Sequence, residues 1–248
     1  MSQPAIQTAL PKLLAKSQRD EGIVHVLYTQ QVILNVTYTE PTEKSKRIGC
    51  LNPRTGATRP YSDPPPGAIY DCVGGSILAS IQRPKLFSHM ILVGPSPCFL
   101  NAPPDYKGGF ERADLEGLLE LMDQNYIGWA QYFAPVVAGA TLNQPLAAKL
   151  SNSFCSTDPV MARLFAEVTF FSDIRDQLQH CKTPCLILQH RNDALAPLIV
   201  GDYLHQHLTG STLEILDVSG HCAHMSHPDL VADSMRKYLS GRDSRVLP

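Results

Sequence analysis

Apolar and polar positions change rhythm along the chain. His89–Val93 (HMILV) is a short, nearly continuous apolar run, the pattern of a strand buried on both faces. Cys185–Gln189 (CLILQ) and Leu213–Val218 are also strand patterns, each followed by a helical one, over Pro197–Leu208 and Pro228–Leu239. Strand, helix, strand, helix at this spacing predicts parallel strands joined by crossovers. Residues 105–180 hold only helical patterns. Leu115, Leu118, Leu119 and Met122 recur at helical spacing, as do Tyr126, Trp129, Ala130 and Phe133, with Pro135 ending that run. Asp158 caps a third helix that has Pro159 at its first position and Leu164, Phe165 and Val168 on one side. An all-helical block inside an α/β chain predicts an inserted cap within one domain.

Residues 1–70 read differently. Ile23–Tyr28 and Gln31–Tyr38 are β-like, and a proline cluster from Arg59 to Gly67 excludes helix or central strand. Ile77–Arg83 reads as the end of a helix stopped by Pro84, and Gly94–Cys98 as a loop after the first buried run.

Composition narrows the class. The chain has 248 residues, 44% hydrophobic and 18% charged, enough apolar material for one domain with a sizeable core. A net charge of -2 implies no basic face, so nucleic acid is not expected as a partner. No apolar run approaches the ~20 residues of a membrane helix, and the N-terminus lacks the pattern of a secretory signal. Seven scattered cysteines without such a signal read as reduced thiols, and the expected location is cytoplasmic.

The chemistry concentrates beyond two strand ends. Asp193 follows Cys185–Gln189, and His221 follows Leu213–Val218. In open parallel sheets functional groups collect beyond the carboxyl ends of strands, and neighbouring strands lie ~5 Å apart. A carboxylate there can accept the Nδ1 proton of a histidine, fix its tautomer and leave Nε2 as a general base. Acid before histidine is the chain order of α/β-hydrolases. The spacing is equally compatible with Asp193 as a helix cap and His221 as a loop histidine.

A resemblance decides between them. From Ile77 onward the chain carries LASIQRP (Leu78–Pro84), VGPSPCFLN (Val93–Asn101), DYKGGF (Asp105–Phe110) and NYIGW (Asn125–Trp129). FCSTDP (Phe154–Pro159), FSD (Phe171–Asp173), HQHL (His205–Leu208) and GHCAHMSHP (Gly220–Pro228) follow. These strings, in this order, resemble the RsbQ family of bacterial α/β-hydrolases. Those proteins act with a PAS-domain phosphatase in the general stress response, and the plant strigolactone and karrikin receptors are their relatives. The resemblance implies an α/β-hydrolase fold: a mostly parallel sheet with helices on both faces and residues 105–180 as a helical lid. It implies Asp193 and His221 as triad acid and base, acting on a small hydrophobic ester or lactone, without cofactor or metal. Phe110, Trp129, Phe133 and Phe170 would line the pocket, although the same aromatics also suit plain core.

The family pattern breaks upstream. The nucleophile elbow, G-x-S-x-G, should precede the helix that ends at Arg83-Pro84, and it is absent. Ungapped alignment places Tyr70 at the serine position; a two-residue deletion places Cys72 there. A cysteine beside a histidine can be a nucleophile, yet Tyr70 would then occupy a glycine position, and a buried thiol is the better reading of Cys72. The family's His-Gly oxyanion loop is missing from residues 1–70 as well. The first strands of the sheet are then missing or replaced, in a divergent segment or a defective reading frame. Three histidines in HCAHMSH (His221, His224, His227) could suggest a metal site, but the hydrolase resemblance accounts for the same string. Cys181 and Cys185 have the wrong spacing for a redox pair.

Overall fold

A computed structural model describes residues 72–84, 87, 89–141 and 143–243. Upstream of these it describes only the strands β1 (Val24–Tyr28), β2 (Val36–Thr37) and β3 (Arg47–Ile48). The proline cluster, Tyr70 and most of Gln31–Tyr38 lie outside the described residues.

Helix α1 (Cys72–Gln82) leads into β4 (His89–Val93). Four helices follow: α2 (Arg112–Gln124), α3 (Tyr126–Ala138), α4 (Pro145–Cys155) and α5 (Pro159–Phe171). After a 3-10 turn, Arg175–His180, the chain alternates β5 (Cys185–Asn192), α6 (Leu198–His207), β6 (Ser211–Ser219), α7 (Ala223–Ser226) and α8 (Pro228–Asp243). The main sheet has the order β1-β4-β5-β6, and every pairing in it is parallel.

Both faces of the sheet are covered, which is why HMILV and CLIL carry no polar alternation. Met90, Leu92, Cys185 and Ile187 pack with Val73 and Ile77 of α1 and with Val200 and Leu204 of α6. On the other face Ile91, Val93, Leu186 and Leu188 pack with Leu216 and Val218, and with Val231, Met235 and Tyr238 of α8. Helices α2–α5 form their own cluster around Trp129, which is 1% exposed.

Several expectations need correction. Pro135 does not end its helix: α3 runs through it to Ala138 and closes on Gly139 in the left-handed conformation. Proline deprives the carbonyl four residues back of a donor, but Gln131 is exposed to water, while Ala134, Val137 and Ala138 gain burial. Helix α5 buries Ala162, Ala166, Thr169 and Phe170; Leu164 is 45% exposed. Asp158 does cap α5, accepting from Met161 N at 2.9 Å. Strand β5 extends to Asn192, so His190 lies within it. Residues Ala223–Ser226 form a short helix, and α4 has no counterpart in the predicted pattern.

Candidate active site

Asp193 directly follows β5, and His221 stands two residues beyond β6. The register of these strands slips between His190 and Asn192, where β6 carries one extra residue. Such bulges twist strand ends and re-aim side chains. Past this one, His221 Nδ1–H donates to Asp193 Oδ2 at 2.7 Å, with both side chains fully buried.

The turn after β5 organises the carboxylate. Asp193 Oδ1 accepts from the backbone N–H of Leu195 at 2.9 Å and of Ala196 at 3.2 Å. Gln189 fixes that turn, its Nε2 donating to Ala196 O at 2.5 Å. Burial by itself raises the pKa of the Asp193 carboxyl; the facing His221 and His190 and the Leu195 N–H outweigh it and hold the group well below the ordinary carboxylate range. An ionised carboxylate fixed in this way can orient an imidazole and stabilise its protonated form.

Glycines let the surrounding backbone close in. Gly220 has φ +89°, and a Cβ there would lie 2.3 Å from Ala138 O. Gly139, with φ +62°, would place a Cβ 2.5 Å from Gly220 N. The end of α3 therefore sits directly on the histidine loop, and His221 N–H donates to Val137 O at 2.8 Å. Gly94, just past β4 with φ +58°, abuts both rings: a Cβ there would meet His190 Cε1 at 3.2 Å and His221 Cε1 at 3.3 Å.

The aromatic residues gather in the buried core of the helical block. Trp129, Phe133 and Phe170 are buried in one cluster with Phe99, Phe154, Leu195 and Cys222, and Phe110 packs against it. Phe133 stacks on Trp129, with centroids 5.4 Å apart, and meets Phe170 edge-on at 6.3 Å. Leu195 and Cys222 belong to the acid and histidine loops, so this cluster adjoins the Asp–His pair. Phe99, Phe154 and His190 were not singled out in the sequence; Phe99 and Phe154 lie inside quoted strings, and His190 carries no motif.

The remaining candidates separate. Cys72 opens α1; its side chain lies outside the described residues. His224 is buried beside His221 whereas His227 is exposed, so the three histidines of HCAHMSH diverge. Burial, with Asp193 adding to it, pushes the Cys222 thiol up to about 12, a poor nucleophile despite its neighbour. Cys98, Cys155, Cys181, Cys185 and Cys222 are free thiols. Among the described residues no helix is long and apolar enough to cross a membrane.

A parallel sheet covered on both faces, with an acid and a histidine just past two adjacent strands and a helical block beside them, is the architecture of the α/β-hydrolases. The chain has this fold, and comparison with known proteins gives its relatives. It is 37% identical over 164 residues to karrikin insensitive 2 receptor CA of Petunia hybrida, covering 66% of this chain and 60% of that one. It is 38% identical over 166 residues to a strigolactone esterase of Pisum sativum, covering 66% and 61%. Among solved structures, a hydrolase from Oleispira antarctica is 46% identical, with a TM-score of 0.64, covering 66% of this chain and 60% of that one. No protein-family model matches the chain. It is thus an α/β-hydrolase-fold protein related to esterases and to strigolactone and karrikin receptors, and spans about 60% of the length of the curated relatives it matches.

Proposed function

We propose that the chain carries the acid–base half of an RsbQ-like hydrolase of small hydrophobic esters or lactones. The observation that carries this reading is the buried 2.7 Å bond between His221 Nδ1 and Asp193 Oδ2 at the ends of adjacent parallel strands. His221 Nε2 removes the proton of the attacking nucleophile, Asp193 stabilises the imidazolium, and the proton then passes to the leaving alkoxide. Helices α2–α5 serve as the lid, and their aromatic cluster receives the apolar part of the substrate. Two orphan groups, Trp129 Nε1 and Thr169 Oγ1, are buried in that block without hydrogen-bond partners among the described residues, and a ligand oxygen would satisfy either.

A second reading is favoured by one observation, the absence of a G-x-S-x-G serine from the sequence. The same fold then holds a small ligand and signals through a partner such as a PAS-domain phosphatase, without efficient turnover. Hydrolysis of nitrophenyl acetate separates the two. Loss of one oxyanion donor costs about 10²–10³ in rate, and loss of a triad nucleophile on the order of 10⁶, so slow turnover is expected. If Cys72 supplies the nucleophile, iodoacetamide and Cys72→Ala abolish that turnover while Cys98→Ala leaves it intact. Turnover unaffected by His221→Ala would contradict the hydrolase reading.

A further inference from the structure

His190 occupies an unusual place for its residue type. It follows Leu186 and Leu188 on the β5 face covered by α8, is completely buried, and pairs in register with Leu216. Burying an imidazole among aliphatic side chains is costly unless its polar atoms are bonded. Its Nδ1 lies 3.0 Å from Gly220 O. A carbonyl oxygen only accepts, so the proton of His190 sits on Nδ1. Nε2 is buried without a hydrogen-bond partner among the described residues, which makes it the bare lone pair of a neutral ring. The same Nδ1–H faces Asp193 Oδ2 at 3.6 Å. That is too long for a hydrogen bond but a close electrostatic contact in a dry interior.

Gly220 C=O and His221 N–H belong to one peptide group. His190 holds its oxygen from the sheet side, and Val137 O holds its N–H from the helical side. We propose that His190 is a positioning residue for His221, clamping the Gly220–His221 peptide and turning an N–H toward the Asp193 oxygen that His221 uses. Its catalytic consequence rests on the acyl-transfer reading above; the clamp itself does not. Among the described residues, Asp193, His221 and His224 are the titratable groups around it. The His190 N–H and the His221 Nδ1–H face the same Asp193 oxygen, so loss of the His190 N–H should strengthen the His221–Asp193 bond.

The experiment uses NMR of the full chain with ¹⁵N-labelled histidine. In the wild type the ring shifts of His190 should report a neutral Nδ1–H tautomer; an Nε2–H tautomer overturns the proposal. His190→Asn keeps an amide N–H at the Nδ1 position, whereas His190→Gln moves it to the Nε2 position. The His221 Nδ1–H proton resonance should move further downfield in His190→Gln and return towards wild type in His190→Asn. Loss of packing alone would lower the melting temperature without separating the variants in this way. Equal His221 Nδ1–H shifts in wild type, Asn and Gln variants reject the assignment. The readout is independent of turnover, so a chain without esterase activity still tests the role of His190.

Discussion

Val137 and His221 are joined backbone to backbone: the N–H of the histidine donates to the carbonyl at the end of α3 across 2.8 Å. The same helix carries Trp129 and Phe133 towards the aromatic cluster. What packs against those rings and what holds the histidine loop are thus two ends of one rigid element. The contact is as close as it is because glycine stands on both sides of it.

Gly220→Ala should therefore be severe. The positive φ alone costs about 1–3 kcal/mol for a residue with a Cβ, and Ala138 O blocks the space as well. Gly210 has φ +76° with nothing within 4 Å of the added carbon, so Gly210→Ala should show the backbone cost only. Gly117, inside α2 with open space around it, should gain about 0.5–1 kcal/mol as alanine. Urea unfolding of the three variants gives the order directly; a Gly220→Ala protein as stable as the Gly210→Ala one contradicts the packing described here.

The uneven legibility of the sequence has physical causes. The sheet announced itself because β4 and β5 are buried on both faces, which leaves unbroken apolar runs. The position of Asp193 and His221 past two parallel strands followed from that. Helix α5 carries Leu164, Phe165 and Val168 on one side, yet its inner face is built on Ala162 and Ala166, small residues that a search for large apolar groups overlooks. Helix α3 outran Pro135 because the carbonyl it disrupts belongs to exposed Gln131. His190 was invisible because its role depends on the slipped register that aligns β5 with the Gly220 carbonyl.

The single tryptophan of the chain, Trp129, is a built-in probe. It is fully buried among Tyr126, Phe133 and Phe154, so its native emission should be blue-shifted and move red on unfolding. Phe133→Ala should cost about 3–5 kcal/mol and shift the native emission. A small hydrophobic ester entering this cluster should change the emission at saturating concentration; an unchanged spectrum with demonstrated binding would place the ligand elsewhere.

Acid should destabilise the fold through two groups. Burial, with the neighbouring His221 and His190 adding to it, lowers the His224 pKa to about 3, whereas an unfolded histidine titrates near about 6.5. Between these values the unfolded chain binds the extra proton, so stability rises with pH across that window and is fully present above it. Asp193, depressed in the folded state, adds stability that is present above the unfolded value of about 3.9 and is lost as pH falls towards its folded value. His224→Gln should flatten the higher window and Asp193→Asn the lower one in denaturation measured against pH. A slope unchanged by His224→Gln would show that this ring is not kept neutral.

Thiol labelling distinguishes position from reactivity. Cys155 is exposed, and Cys222 is buried with its thiol pushed up to about 12. Brief iodoacetamide treatment of the native chain at neutral pH should modify Cys155 and spare Cys222, with Cys222 reacting only after unfolding. Peptide mass spectrometry reads both sites; rapid native labelling of Cys222 would mean that the histidine loop opens far more readily than its packing implies.

The central claim is that Asp193 and His221 act as one unit. Its most direct test is a double-mutant cycle on nitrophenyl acetate turnover with Asp193→Asn, His221→Ala and the pair combined. In a serine protease the loss of a correctly oriented histidine on the equivalent acid substitution is about 10⁴ in rate, and residues that act together lose activity non-additively. Each single variant should lower wild-type turnover to a residual level, and the double variant should fall no further than His221→Ala alone. Losses that multiply, or turnover that survives either single substitution, would contradict the account.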